Sequence, residues 1–146
     1  MSFVEAVRTC FQKYVSIEGR ARRSEYWWFL LFVFLGNLVL SGLDRVFFGP
    51  EMSVLGTIFA LGVLLPAICV GIRRLHDRDM SGWWILLNLI PLIGALVLMV
   101  IYALPGTNGT NRFGPSPLSP GGHGPGSDDD DSTGYSPSSI PRAGHE

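Results

Sequence analysis

Two charged clusters carry most of the side chains able to do chemistry: residues 18–25, with Glu18, Arg20, Arg22, Arg23 and Glu25, and residues 73–79, with Arg73, Arg74, His76, Asp77, Arg78 and Asp79. Carboxylates mixed with guanidinium groups form the strong, charge-assisted class of hydrogen bond. On a helix Arg73 and Asp77 are four residues apart and Arg74 and Asp77 three, the spacings at which side chains meet, and Glu25 can then reach Arg73 or Arg74 from a neighbouring helix. Arg20, Arg22, Arg23, Glu25, Arg73, Arg74, His76, Asp77 and Arg78 are therefore candidate interaction residues for a lipid headgroup or a protein partner. A simpler use of the same charges is anchoring to anionic lipid, worth about 1 kcal/mol per basic residue. His76 beside Asp77 has the elements of a metal ligand or a catalytic dyad, but adjacent helical side chains point roughly 100° apart and no second His or Cys stands three or four positions away. No Ser or Cys has an evident base. The expectation is a non-enzymatic chain with no catalytic residue, metal or cofactor.

The elements that must position these clusters are apolar. Of the 146 residues, 47% are apolar and only 16% charged, and the mean hydropathy is +0.31. This is too apolar for an ordinary soluble domain. The apolar residues concentrate before Gly106, where the net charge is +2, while residues 106–146 carry −3. That balance excludes a strongly basic nucleic-acid binder. Cys10 and Cys69 are too far apart in sequence for metal-ligand spacing and too few for a disulfide framework.

Three uncharged stretches, Tyr26 to Leu43, Met52 to Ile72 and Trp83 to Tyr102, each give about 30 Å of helix, close to the hydrocarbon thickness of a bilayer. The fold class expected is an all-α integral membrane protein, with spans at about 26–43, 52–72 and 82–104. Residues 1–114 form the membrane domain and 115–146 a tail rich in Gly, Pro, Ser and Asp, expected to be disordered. Basic residues in the short flanks number eight on one side (Arg8, Lys13, Arg20, Arg22, Arg23, Arg73, Arg74, Arg78) and three on the other (Arg45, Arg112, Arg142). Three crossings and the positive-inside rule then put the N-terminus in the cytoplasm and the C-terminus outside. Asn111, Arg112 and Phe113 become a cap on the outer face.

Phe3, Val7, Cys10 or Phe11, and Tyr14 recur at helical spacing, so residues 2–16 read as an interfacial helix on the inner leaflet or as a short helix packed on the ends of the spans. The Trp27–Trp28 and Trp83–Trp84 pairs stand at equivalent places after a charge cluster. Both are expected as interfacial anchors on one side of the membrane, with Ser81 or Asp79 capping the third span. Gly56, Ala60, Ala67 and Gly71 place the second span at the centre. Pro66 frees a carbonyl that must find a partner or bend the helix. With Pro91, Asn37 and Asn88 it supports the alternative reading, a transporter or channel subunit with a path between protomers.

The run from Gly19 to Trp28, the run from Arg73 to Asp77 followed by Ser81 to Trp84, and Pro105-Gly106-Thr107 with Asn111 to Pro115 together resemble the bacterial inner-membrane family catalogued as domain of unknown function 805. The resemblance covers about residues 11 to 117. It implies a small multi-span protein of the bacterial cytoplasmic membrane and brings no reaction, ligand or cofactor. The partners expected are membrane lipids and, as protein contacts, a homo-oligomer or another membrane protein, with no nucleic acid.

Overall fold

A computed structural model describes residues 1–118 of the chain, so the tail beyond Leu118 lies outside the described residues. Among them the order is α1 (Phe3–Gln12), α2 (Arg23–Phe47), α3 (Val54–Asp77), a 3₁₀ helix (Gly82–Leu89) and α4 (Ile93–Ala103). There is no strand among the described residues, only an isolated bridge between Asn111 and Gly114. α2 and α3 are the two helices long and apolar enough to cross a membrane.

α1 begins at a capping box. The Ser2 hydroxyl accepts from Glu5 N at 3.3 Å and the Glu5 carboxylate accepts from Ser2 N at 2.8 Å. Shorter than the 2–16 expected, α1 packs on the spans: Phe3 meets Trp28 edge-on at 5.9 Å and Phe11 meets Phe29 and Phe32 at 6.1 and 5.8 Å. Of the two placements open from sequence, this is the packed one. The chain leaves α2 through Gly49, whose φ of +87° suits glycine. The buried carboxylate of Asp44, in the last turn of α2, accepts from Leu55 N at 2.8 Å and Gly56 N at 2.9 Å, satisfying the first turn of α3 from outside that helix. α3 touches every other helical element, the central position expected of it.

Pro66 sits inside α3 and has no N–H to offer the carbonyl of Gly62. The Tyr14 hydroxyl donates to that carbonyl. The freed acceptor is therefore paired, and the segment after α1 is stitched to the middle of α3.

The third expected span, 82–104, is not one crossing helix. It breaks at Ile90–Leu92, where Leu92 adopts a φ of +64°. The 3₁₀ helix leaves the end of α3 and α4 returns to it. Gly82 lies against Ile72 and His76, and Tyr102 of α4 comes back to Gly71 and to within 4.4 Å of the Tyr26 ring. Eight residues at ~2.0 Å and eleven at ~1.5 Å give legs of about 16 Å each, half the hydrocarbon thickness. Gly94 makes the hairpin fit, because a Cβ there would stand 1.6 Å from the Leu87 carbonyl oxygen. At the tip, Ile90, Ile93 and Gly94 donate to Leu87, Pro91 and Ile90, and Pro91 has no donor to strand in an apolar medium.

The Tyr14 bond makes a cycle testable. Tyr14→Phe is expected to lower stability in detergent by about 1 kcal/mol, because the Gly62 carbonyl then lacks both partners. In a Pro66→Ala background, where the backbone N–H gained at position 66 restores the helical bond, the same change is expected to cost close to nothing. Equal losses in both thermal-melt series would refute the pairing.

Candidate functional site

The last turn of α3 delivers four ionisable side chains into protein rather than solvent: Arg73, Arg74, His76 and Asp77 are all buried. Their partners arrive from two distant segments, residues 20–25 and 102–113. Glu25, in the first turn of α2, accepts from Arg73 at 2.6 Å. Asp77 is shared: one carboxylate oxygen accepts from Arg20 Nε at 2.9 Å, the other from Arg74. Three guanidinium groups thus stand against two carboxylates, a buried set with one excess positive charge.

The arginines also satisfy backbone. At the end of α4, Tyr102 O accepts from Arg74 Nε at 3.1 Å, Leu104 O from the same guanidinium, and Ala103 O from Arg23 at 3.4 Å. These carbonyls lie at the negative end of the helix dipole and have no helical donor. Arg20 also donates to Asp77 O at 3.2 Å, Thr107 O at 2.6 Å, Gly109 O at 2.6 Å and Gly114 O at 3.3 Å. Thr107 N and its hydroxyl reach Asp77 O at 2.8 and 3.1 Å. At Gly106 a Cβ would lie 2.1 Å from Asp77 Oδ2, so only glycine allows the loop this close.

Residues 105–116 therefore lie at the charged end of the bundle. Asn111 donates to His76 O at 2.9 Å, Arg112 pairs with Asp79 at 3.2 Å, and the Phe113 ring stacks on His76 at 3.8 Å, 2° from parallel. This corrects the outer cap expected of Asn111, Arg112 and Phe113. The cause is the hairpin, which returns the chain to the end it left instead of carrying it across. The described chain closes beside its own start: Met1 and Pro117 line one cavity.

Of the other expected site residues, Arg23 is exposed at this end, Arg22 is half-buried, and Arg78 is half-buried with Nε unpartnered among the described residues. Trp27, Trp28, Trp83 and Trp84 are all exposed, at the starts of α2 and the 3₁₀ helix, where Ser81 accepts from Trp83 N at 3.4 Å. Asn37 donates to Val33 O of its own helix at 3.0 Å. Cys10, Lys13 and Gly106 stand at this end although none is among the expected site residues: Cys10 enters only through helical spacing and cysteine count, Lys13 through the flanking charge count, and Gly106 through the Pro105-Gly106-Thr107 run. The buried Cys10 sulfur lies 3.9 Å from Glu25 Oε1, and burial, then the Glu25 charge, push its thiol up to about 12.

Two outcomes follow from this geometry. Asp77→Asn leaves Arg20 and Arg74 buried without their counter-charge and is expected to cost about 3–5 kcal/mol, read as loss of folded protein in detergent. In a Cys69→Ala background, maleimide labelling of Cys10 at pH 8 is expected to run more than about tenfold slower than in the denatured chain, and to accelerate as pH rises. Labelling at the denatured rate would contradict the buried thiol.

Comparison with known proteins meets the same segments. The family model described as protein of unknown function, DUF805, matches residues 14–115. Inner membrane protein YhaH of Escherichia coli K12 is 47% identical over 110 residues, covering 73% of this chain and 90% of that one. Inner membrane protein YhaI of the same strain is 42% identical over 106 residues, covering 73% and 89%. The uncharacterized protein YiiR is 29% identical over 126 residues, 68% of this chain and 84% of its own. No solved structure matches. A match that runs from Tyr14 to Pro115 and takes in every residue of the ionic cluster places this chain in the DUF805 family.

Proposed function

We propose that the chain is a non-catalytic protein of the bacterial inner membrane that crosses it with α2 and α3, dips a half-depth hairpin into it, and uses its charged end to contact lipid headgroups or a protein partner on the cytoplasmic side. The observation that carries the reading is the gathering of charge at one end. With residues 105–118 returned there, nine of the ten basic residues among 1–118 stand at that end and only Arg45 at the other. Under the positive-inside rule this favours a cytoplasmic placement more strongly than the expected three crossings did, and it puts both residue 1 and residue 118 in the cytoplasm. The printed names of YhaH and YhaI, both inner membrane proteins, support the location.

The ionic cluster itself is a scaffold. Its carboxylates are taken by arginines, Arg20 and Arg74 by carboxylates and carbonyls, and Arg73 is fully buried behind Glu25, so the contact surface is the rim around the cluster. The rest of the surface is oil-facing: Phe34, Leu38, Val46 and Phe47 of α2 are each more than half exposed. Such a face has no favourable place in water.

Two measurements test the proposal together. A reporter that works only in the cytoplasm, fused after residue 118, is expected to be active, and a periplasmic reporter at the same position silent; the reverse would overturn the orientation. A photocrosslinking residue at Gln12, exposed on the rim, is expected to capture lipid or protein in native membranes. Capture of neither would overturn the contact role.

A further inference from the structure

A half-open groove of about 860 Å³ lies between α1 and residues 113–117, with Glu5, Lys13, Arg22, Glu25, Phe113 and Pro117 among its walls. That volume falls in the range of small-ligand sites. Both carboxylates on the walls are already engaged. Glu5 accepts from Ser2 N in the capping box, and hydrogen bonds from Ser2 hold its carboxyl below the usual range. Glu25 is paired with the fully buried Arg73. Of the wall cations Arg20 is paired with Asp77, but Lys13 and Arg22 are not matched in this way. Neither Lys13 nor Arg22 has an ion-pair partner within 4.0 Å among the described residues, the four bridges there being Arg20–Asp77, Arg73–Glu25, Arg74–Asp77 and Arg112–Asp79. Arg73, behind Glu25, keeps Nε and one terminal nitrogen without a hydrogen-bond partner, although it is 0% exposed. Lys13 is half-buried, and burial first, then the like charge of Arg73, hold its ammonium below its ordinary range.

A partly desolvated ammonium beside the Arg73 guanidinium is unfavourable, and an anion held by Lys13 and Arg22 at the groove wall would relieve it, while Arg73, which does not line the groove, acts through its charge alone. We propose that this groove binds a phosphate group, with Lys13 and Arg22 as its direct ligands and Arg73 supplying positive charge from behind. The proposal rests on the contact reading above and names its chemistry. Phosphate fits because it offers several acceptor oxygens to an Arg fork and a Lys point charge at once. The phosphate of an acidic phospholipid headgroup and free inorganic phosphate share that chemistry, and the experiment separates them.

Full-length protein in non-ionic detergent is incubated with dihexanoyl phosphatidylglycerol, dihexanoyl phosphatidylcholine or inorganic phosphate, and adducts are counted by native mass spectrometry. Phosphatidylglycerol is expected to bind at least about tenfold better than phosphatidylcholine. The Lys13→Gln/Arg22→Gln variant is expected to lose about tenfold of that binding. The charge-matched Arg8→Gln/Arg45→Gln variant, altered at exposed positions outside the groove walls that hold no described hydrogen bond or ion pair, is expected to keep it. A saturable adduct of inorganic phosphate alone, lost in the same variant, supports the site with free phosphate as its source. Equal loss in both variants overturns the groove site while leaving general headgroup contact standing; no loss in either overturns it as well. A folded-state check by thermal melt accompanies each variant, and Lys13→Arg, which keeps the charge, is expected to bind as the parent does; failure of that variant to bind counts against Lys13 as a ligand.

Discussion

Two arginine side chains, Arg73 and Arg74, are the largest fully buried groups among the described residues, ahead of Phe29, Leu75 and Leu98. Removing a guanidinium from water costs several kcal/mol after relaxation unless counter-charges and hydrogen bonds replace the water. That requirement dictates the remaining connections. Arg73 requires Glu25, which fixes the start of α2. Arg74 requires Asp77 and the carbonyls ending α4, which brings the hairpin back. Asp77, shared with Arg20, requires the loop before α2 and admits the 105–114 segment only through Gly106. Each partner engages the next, so the cluster is a connected polar network rather than a row of independent bridges, left open at Arg73, whose Nε and one terminal nitrogen have no partner among the described residues.

Inside a bilayer apolar side chains gain little by meeting each other, since lipid is as apolar as they are. Association of the helices has to come from close approach and polar contacts. Glycine supplies the close approach: Gly71 lies against Tyr102 and Ile85, and Gly94 against Leu87. Polar contacts supply the rest, at both ends and the middle of α3. Asp44 satisfies its first turn, Tyr14 its proline gap, and Arg20, Thr107 and Asn111 the carbonyls of its last turn. A helix that interrupts itself with proline and ends on arginines is thereby held along its whole length by other elements.

The sequence was informative where the physics is local. Spacing alone brought Arg74 to Asp77, the two long apolar windows became α2 and α3, and Glu25 did reach Arg73. It misled where the same composition serves two geometries. Residues 83–102 are as apolar as a crossing helix, and composition does not distinguish one leg of about 30 Å from two of half that length. Pro91 was visible, but its consequence depends on Gly94 and on a left-handed Leu92, neither of which changes hydropathy. Reading those residues as one continuous helix places Asn111, Arg112 and Phe113 at the end of the bundle opposite the one they occupy. The pairing of Tyr14 with Gly62 joins residues 48 positions apart and leaves no periodic trace.

The hairpin and the ionic cluster also explain each other. A helix ending at mid-membrane or returning to its surface exposes carbonyls with no helical donor, and in an apolar medium each costs several kcal/mol if left unpaired. α4 ends on Tyr102, Ala103 and Leu104, and all three carbonyls accept from arginines, two from Arg74 of the cluster and one from the exposed Arg23 beside it. A continuous third span would have carried those groups to the opposite end, where Arg45 is the only described basic residue available. The excess of arginine at one end is therefore more than a signal for orientation. It supplies the donors that let the chain turn back, and the turn in turn delivers the carbonyls and the Gly106 loop that keep those arginines from being buried unpaired.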